Sequence, residues 1–589
     1  MTDPIHSSIE GKIMTKKFDP VLIEVMRHEL ISVSEEMNIT MKQTTRSIVA
    51  KEGGDFSAGI IDPEGNVIAQ AVPYGLGYFT AVMPHIIKKW GGRLSPNDMI
   101  VSNDPYGGLS HLPDIAVVKP IFWRDEHCGF SAVVEHHTDI GGRFPGGMGL
   151  PCEEIYEEGL RLPAVRLYVD GKLNEAVREI IAANVRAPDD VLGDLEAQAA
   201  ACRRGERGLL ALFQKYGREA VEDCYRELRR HSEQAMRAVF RSIPDGNYTC
   251  EDVFNDGGGT KVKIVVTLAI HGDSATVDFT GCGPQVKNAL NIPPDMIANF
   301  TCNQVFLALL GGSEVPINSG LFAPITTITP EGSVLNPRFP AAVGSRGQLL
   351  WRVYDVVCAA LAKAIPTRMP AAAEGGVSMM VYTPSERNTN GGAFMMTEMY
   401  ASGWGGRPTK DASDGLMPLA MAGFRSNPAE AFEQELPIML DGFGFVPDTG
   451  GAGKFRGSLA VYRRWRFLAD GRVMLRTCRV DSLPYGLEGG KPGTPFKALL
   501  ISNGTQTELP AKIMLDIPVR AGDVLMHVQP GPGGFGDPLS RDPRKVLEDV
   551  LDEKISPAYA EREYGVAIEP NTGIDAARTE SLRARHSAK

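Results

Sequence analysis

The residues best equipped for chemistry lie between positions 101 and 149, in VSNDPYGGLSHLPDIAVV and, after an intervening strand, VVEHHTDIGGRFPGGMG. His111 and Asp114 flank Leu112-Pro113. Proline lacks a backbone donor and restricts the residue before it, so no regular helix runs through this spot, and both side chains are expected on a turn entering a strand at 115–122. Such a turn can aim both at one ion. His136 and His137 close an apolar run at 130–134 whose side chains alternate between two faces, so only one of the pair can face the same point. Asp55 opens the strand DFSAGIID and adds a carboxylate. Each of these groups also has a plainer reading as a polar residue at a strand end. Taken together, two imidazoles and two carboxylates suit Zn²⁺, Mn²⁺ or Fe²⁺ better than the all-oxygen cages of Ca²⁺ or Mg²⁺.

Other chemistries lack their signatures. No G-x-x-x-x-G-K-[ST] phosphate loop occurs: Gly489-Gly490-Lys491-Pro492 has proline where Ser or Thr belongs, and Tyr485 stands where the first glycine would be. Neither a G-x-S-x-G elbow nor a dinucleotide fingerprint in a strand–helix context is present. The glycine clusters at 257–259, 450–453 and 531–536 read as tight turns. Nine cysteines are spread singly with no C-x-x-C pair, which suits reduced, buried thiols better than a disulfide framework or a zinc ribbon.

The elements that must position the site follow from periodicity. Residues 18–49 carry apolar side chains at helical spacing behind an Asp19-Pro20 start, which predicts a long amphipathic helix. A hairpin is expected at 55–61 and 66–71 around Pro63-Glu64-Gly65, with further strands at 99–102, 115–122 and 129–136. Two helices are expected within 192–240, strands within 246–280, a helix at 349–363, a linker at 366–390, and strands at 459–467 and 472–480. A helix at 543–553 leads to a polar tail. The fold class is α+β and multidomain, with mixed sheets, long amphipathic helices and a β-rich C-terminal region. The expected division is a disordered extension at 1–17, a metal-bearing α+β domain at 18–245, a central α/β domain at 246–435, a β-rich domain at 436–540 and a C-terminal helix and tail at 541–589.

With 61 basic and 72 acidic residues, the net charge of −11 and the lack of a basic stripe argue against nucleic acid as a partner. Apolar stretches such as 115–118 and 305–310 fall far short of the roughly 18 residues that span a bilayer. The polar start lacks the apolar segment of a signal peptide, Met14 offers an alternative start, and the expected location is the cytoplasm.

Four stretches, NDPYGGLSHLPD, EHHTDIGG followed by PGGM, GGAGKFRG and GGFGDPLSRDPRKVLEDV, resemble the hydantoinase B family, in order, from residue 18 to about 566. That family includes caprolactamase and oxoprolinase halves and the α subunit of acetone carboxylase. The resemblance implies a metal held by His111, Asp114 and His136, with Asp55 as a further ligand in the hydrolase branch, the ion being Zn or Mn. It also implies a larger hydantoinase A type partner with an actin-like fold that binds ATP and Mg, in an (αβ)2 assembly. His137 and Asp139, beside His136, are then candidates to orient a ligand or accept a proton. Acetone carboxylase α subunits are considerably longer than this chain, which favours a hydrolase opening a hydantoin, oxoproline or lactam over a ketone carboxylase. A third reading is a scaffold subunit whose metal is structural.

Overall fold

The computed structural model describes residues 19–71, 75–311, 314–386, 395–400, 403–417, 425–569 and 573–587. The expected extension at 1–17 lies outside them. The first helix, Pro20–Thr44, starts where the Asp19 side chain accepts the Val21 N–H at 2.9 Å and Pro20 takes the first helical position. It buries Met26, Leu30, Val33, Met37 and Met41, spaced three or four apart as one helical face requires.

That face lies on a seven-stranded antiparallel sheet made of β1 (Phe56–Ile61), β2 (Val67–Gln70), β3 (Met99–Ser102), β4 (Asp114–Trp123), β5 (Glu126–His136), β6 (Val165–Val169) and β7 (Lys172–Leu173), in the order β2-β1-β5-β4-β3-β6-β7. Alternation sorts its side chains between two cores. Ile60, Ile115, Val117 and Val133 pack with the helices Pro20–Thr44 and Pro188–Tyr216. Ala116, Val118, Ala132 and Val134 face the other way, towards Leu76 and Phe79 of the helix Gly75–Trp90. Sequence reasoning missed this last helix, because Gly75, Gly77 and Pro84 all argue locally against one. The expected helical pair within 192–240 is present as Pro188–Tyr216 and Arg218–Arg241, parted at Gly217 (φ 84°).

A second, mixed sheet has the order β11-β10-β9-β8, from β8 (Gly246–Asn255), β9 (Lys261–His271), β10 (Ser274–Asp278) and β11 (Ile325–Ile328), the last pair parallel. Against it packs the helix Gly347–Ala364. The third sheet, β13-β12-β16-β19, joins β12 (Ser378–Pro384), β13 (Met396–Tyr400), β16 (Gly471–Arg476) and β19 (Met514–Val519). The fourth, β14-β15-β20-β17-β18, comprises β14 (Ile438–Val446), β15 (Ala460–Phe467), β17 (Lys497–Ser502), β18 (Thr505–Glu508) and β20 (Val524–Val528).

Two expectations need correction here. Residues 366–390 are not a linker throughout, since β12 is a buried strand paired along both edges, with β13 and β16. The third sheet takes strands from both sides of position 435, so the β-rich region reaches back across that boundary. Beyond the expected helix, which spans Pro543–Leu551, the tail forms the helices Pro557–Tyr564 and Ala576–Ser587.

The glycine cluster at 257–259 joins β8 to β9 as a turn, whereas those at 450–453 and 531–536 serve a different purpose. Segments around 450–453, 486–493 and 531–536 cross at backbone contact: Gly451 N–H donates to Pro532 O, and Gly534 N–H to Lys491 O. A Cβ on Gly533 would stand 2.0 Å from Tyr485 O, and one on Gly534 2.3 Å from Ala452 O. Gly533→Ala is expected to cost about 3 kcal/mol or more through overpacking. Gly504→Ala, at φ +76° with open space around it, should cost only the roughly 1–2 kcal/mol of left-handed strain. Thermal melting of the two variants decides the matter, and equal costs would refute the close-approach account.

Candidate metal centre

Three neighbouring strand ends build the site. Asp114, the first residue of β4, pairs in register with His136, the last of β5. On the other side of β5, the His136 N–H donates to the Asp55 carbonyl at 3.0 Å, just ahead of β1. His111 reaches the same point from the turn before β4, where the Asp114 N–H closes on the His111 carbonyl at 3.1 Å. Donor atoms of His111, Asp114 and His136 all lie within 4.8 Å of one another, and all three residues are buried. Asp55 lines the same cavity of about 90 Å³ but stands outside that tight group.

The donor atoms are in the state a cation needs. Burial, and then the Arg346 guanidinium, lowers His111 to about 4; burial, and then His111, lowers His136 to about 3. Both rings are therefore neutral at pH 7. The Gly344 carbonyl, 3.4 Å from His111 Nδ1, can only accept, which leaves the lone pair on Nε2. His111 Nε2 and His136 Nδ1 are buried with no hydrogen-bond partner among the described residues. Burial opposes ionisation of Asp114, yet His111 and Arg346 beside it hold the carboxyl well below the usual carboxylate range. Asp55 behaves oppositely, since burial and the Asp114 charge raise it to about 8.

Several site residues escaped sequence reasoning. Tyr78 donates its hydroxyl to Asp114 Oδ2 at 3.1 Å, Ser110 also donates to that oxygen, and Arg346 Nη2 approaches it at 3.3 Å. Arg476, at the end of β16, lies across the cavity with Met379 and Met399 from β12 and β13. Trp351 and Leu350 of the helix Gly347–Ala364 complete an apolar wall. The only local signal for Arg346 is its place in Gly-Ser-Arg-Gly at the start of an apolar helix. For Arg476 there is none, because alternation selects Arg472, Met474 and Arg476 equally.

His137 and Asp139 do not line this cavity. As alternation requires, the His137 ring points to the opposite face, where Nε2 meets Gln198 Oε1 at 3.2 Å; Gln198 in turn donates to Ile115 O and Val133 O. Its backbone N–H holds the Pro113 carbonyl at 2.8 Å and so braces the His111–Asp114 turn. The Asp139 carboxylate is filled by the N–H groups of Gly141, Gly146 and Arg186 and by the Arg186 guanidinium. Neither side chain reaches the cavity: His137 touches the ligand turn through its backbone N–H, and the Asp139 carboxylate holds the segment that follows it and Arg186.

A β-built, helix-flanked protein with one buried His/Asp cluster among the described residues is the class these features define. The chain matches the hydantoinase B/oxoprolinase family over residues 19–538 and belongs to that family. Caprolactamase subunit beta of Pseudomonas jessenii is 31% identical, over 96% of this chain and 99% of its own length. The crystal structure of the ATP-dependent caprolactamase from Pseudomonas jessenii superposes with a TM-score of 0.88 at 30% identity, covering 96% of this chain and 100% of that one. The nucleotide-free structure of acetone carboxylase reaches a TM-score of 0.87 over 97% of this chain and 83% of that one, at 17% identity, a likeness of fold alone. Among the described residues no helix is long and apolar enough to cross a membrane.

Proposed function

We propose that this chain is the metal-bearing subunit of an ATP-dependent amidohydrolase that opens a cyclic amide, a hydantoin, oxoproline or lactam. ATP and Mg would bind in a separate hydantoinase A type subunit, in an (αβ)2 assembly. The observation that carries the reading is the pair of buried, neutral imidazoles with unpartnered nitrogens beside an anionic Asp114. The likeness to an ATP-dependent caprolactamase at 30% identity supports the hydrolase branch.

His111, Asp114 and His136 would hold Zn or Mn, with Asp55 as fourth ligand once it loses its proton. A divalent ion there supplies Lewis acidity, polarising a carbonyl oxygen or lowering the pKa of water towards about 7. The chain's own residues do the rest. The Gly344 carbonyl fixes the His111 tautomer, and the Tyr78 hydroxyl and Arg346 hold the Asp114 carboxylate in place. Trp351, Leu350 and Met379 form a wall that limits water around the reacting group. An unactivated amide resists attack, which is the chemical reason for coupling to ATP; the phosphorylation step belongs to the partner, because this chain has no phosphate loop.

The test is to purify the complex with its hydantoinase A type partner and supply ATP, labelled bicarbonate, and panels of lactams, cyclic ureides and ketones. Ring-opened product without retained label is expected, together with no nucleotide hydrolysis by this chain alone. Label held in a ketone-derived acid, with no ring opening, would move the chain to the carboxylase branch.

A further inference from the structure

Buried charges in proteins are normally paired, since an unpaired one costs several kcal/mol. Arg476 breaks this pattern. Only 3% exposed, it lines the cavity and donates to the Met148 carbonyl and, at 3.2 Å, to the Ser345 hydroxyl. Neither partner carries charge, and no carboxylate pairs with Arg476 among the described residues. Arg346, 9% exposed, lines the same cavity, so two guanidiniums share it and only Asp114 ion-pairs with either. The Nε atoms of both arginines are buried without a hydrogen-bond partner.

The backbone adds to this positive field. Gly347 and Gln348, the first residues of the 18-residue helix Gly347–Ala364, line the cavity too. The Gln348, Leu349 and Leu350 N–H groups close on the Ser345 and Arg346 carbonyls, so this terminus adds the partial positive charge of the helix dipole. A Cβ built on Gly347 meets nothing within 4 Å, so the space over this terminus is open.

The geometry points to an oxyanion-binding site beside the metal centre, in which Arg476, Arg346 and the N-terminus of the helix Gly347–Ala364 grip an anionic group of the reacting molecule. Guanidiniums and helix N-termini both favour phosphate and carboxylate oxygens. Two sources share that chemistry: a phosphoryl group on an activated amide, or a carboxylate borne by the substrate or released by ring opening. Naming these sources rests on the cyclic-amide reading, whereas the site itself does not.

Calorimetric titration of the full-length, metal-stripped chain with inorganic phosphate and, separately, acetate tests the site without ATP, partner or turnover. Phosphate or acetate is expected to bind with one-to-one stoichiometry, and the tighter of the two identifies the source. Arg476→Gln should weaken that binding about tenfold or more, the worth of a charge-assisted hydrogen bond, and Arg476→Lys should weaken it less. Gly347→Leu, which fills the open space without touching a charge, should also weaken it and covers the case in which Arg476→Gln does not fold. Arg472→Gln is the control, since Arg472 lines a separate cavity and bonds Asp516 at 3.1 Å. Failure of both anions to bind the wild-type chain, or wild-type affinity in folded Arg476→Gln and Gly347→Leu, would overturn the proposal and leave the ring-opening result untouched.

Discussion

Replacing His111 or Asp114 with alanine is expected to take the bound metal from about one per chain to near zero and to lower turnover of the complex more than about 100-fold, beyond what loss of a supporting residue costs. Each side chain supplies one of three donor atoms gathered within 4.8 Å, so the remaining pair cannot hold an ion at comparable affinity. The variants should also melt earlier in the presence of metal, because an ion that binds only the native state stabilises it by mass action. His137→Ala is expected to keep its metal. Its ring lies on the opposite face of β5, and the backbone N–H that braces Pro113 survives the substitution. Turnover should fall about 10- to 100-fold through lost support from Gln198. Elemental analysis of folded variants separates these outcomes: full metal in both His111→Ala and His136→Ala would place the centre elsewhere. Turnover that persists after metal loss would make the ion structural.

Metal affinity is expected to climb with pH between 6 and 8 by as much as tenfold per unit, with release of one proton per ion bound. The sign follows from Asp55. Burial and the Asp114 charge raise its carboxyl to about 8, so below that pH it holds a proton that a cation must displace. Above it the ligand is already ionised and the dependence levels off. His111, near 4, and His136, near 3, have shed their protons well below this window and contribute no slope. Asp55→Asn should flatten the profile and abolish proton release, read by calorimetry in buffers of different ionisation enthalpy. An unchanged slope in that variant would remove Asp55 from the ligand set.

Much of the site was legible because it depends on short-range rules. Pro113 forces a turn that keeps His111 beside Asp114, and period-two alternation sends His136 and His137 to opposite faces. The helix at Pro20–Thr44 and the hairpin of β1 and β2 follow in the same way from capping, periodicity and turn chemistry. The helix Gly75–Trp90 was not legible, since two glycines and a proline argue against it locally, and burial of Leu76, Phe79, Val82 and Met83 against the sheet outweighs them.

By itself, then, the sequence singled out His111, Asp114, His136 and Asp55 as candidate ligands, with the turn and strands that carry them, and it holds no phosphate-loop motif. Only tertiary structure decided that β5 lies between β1 and β4, so that Asp55, 59 residues before Asp114 in the chain, lines the same cavity as His136 and Asp114. It alone brought Arg346 and Arg476, from a helix start and a distant strand end, to the same cavity. The reason is physical: alternation and turn propensity act over a few residues, whereas strand order and the meeting of separate sheets are set by burial of side chains far apart in the chain.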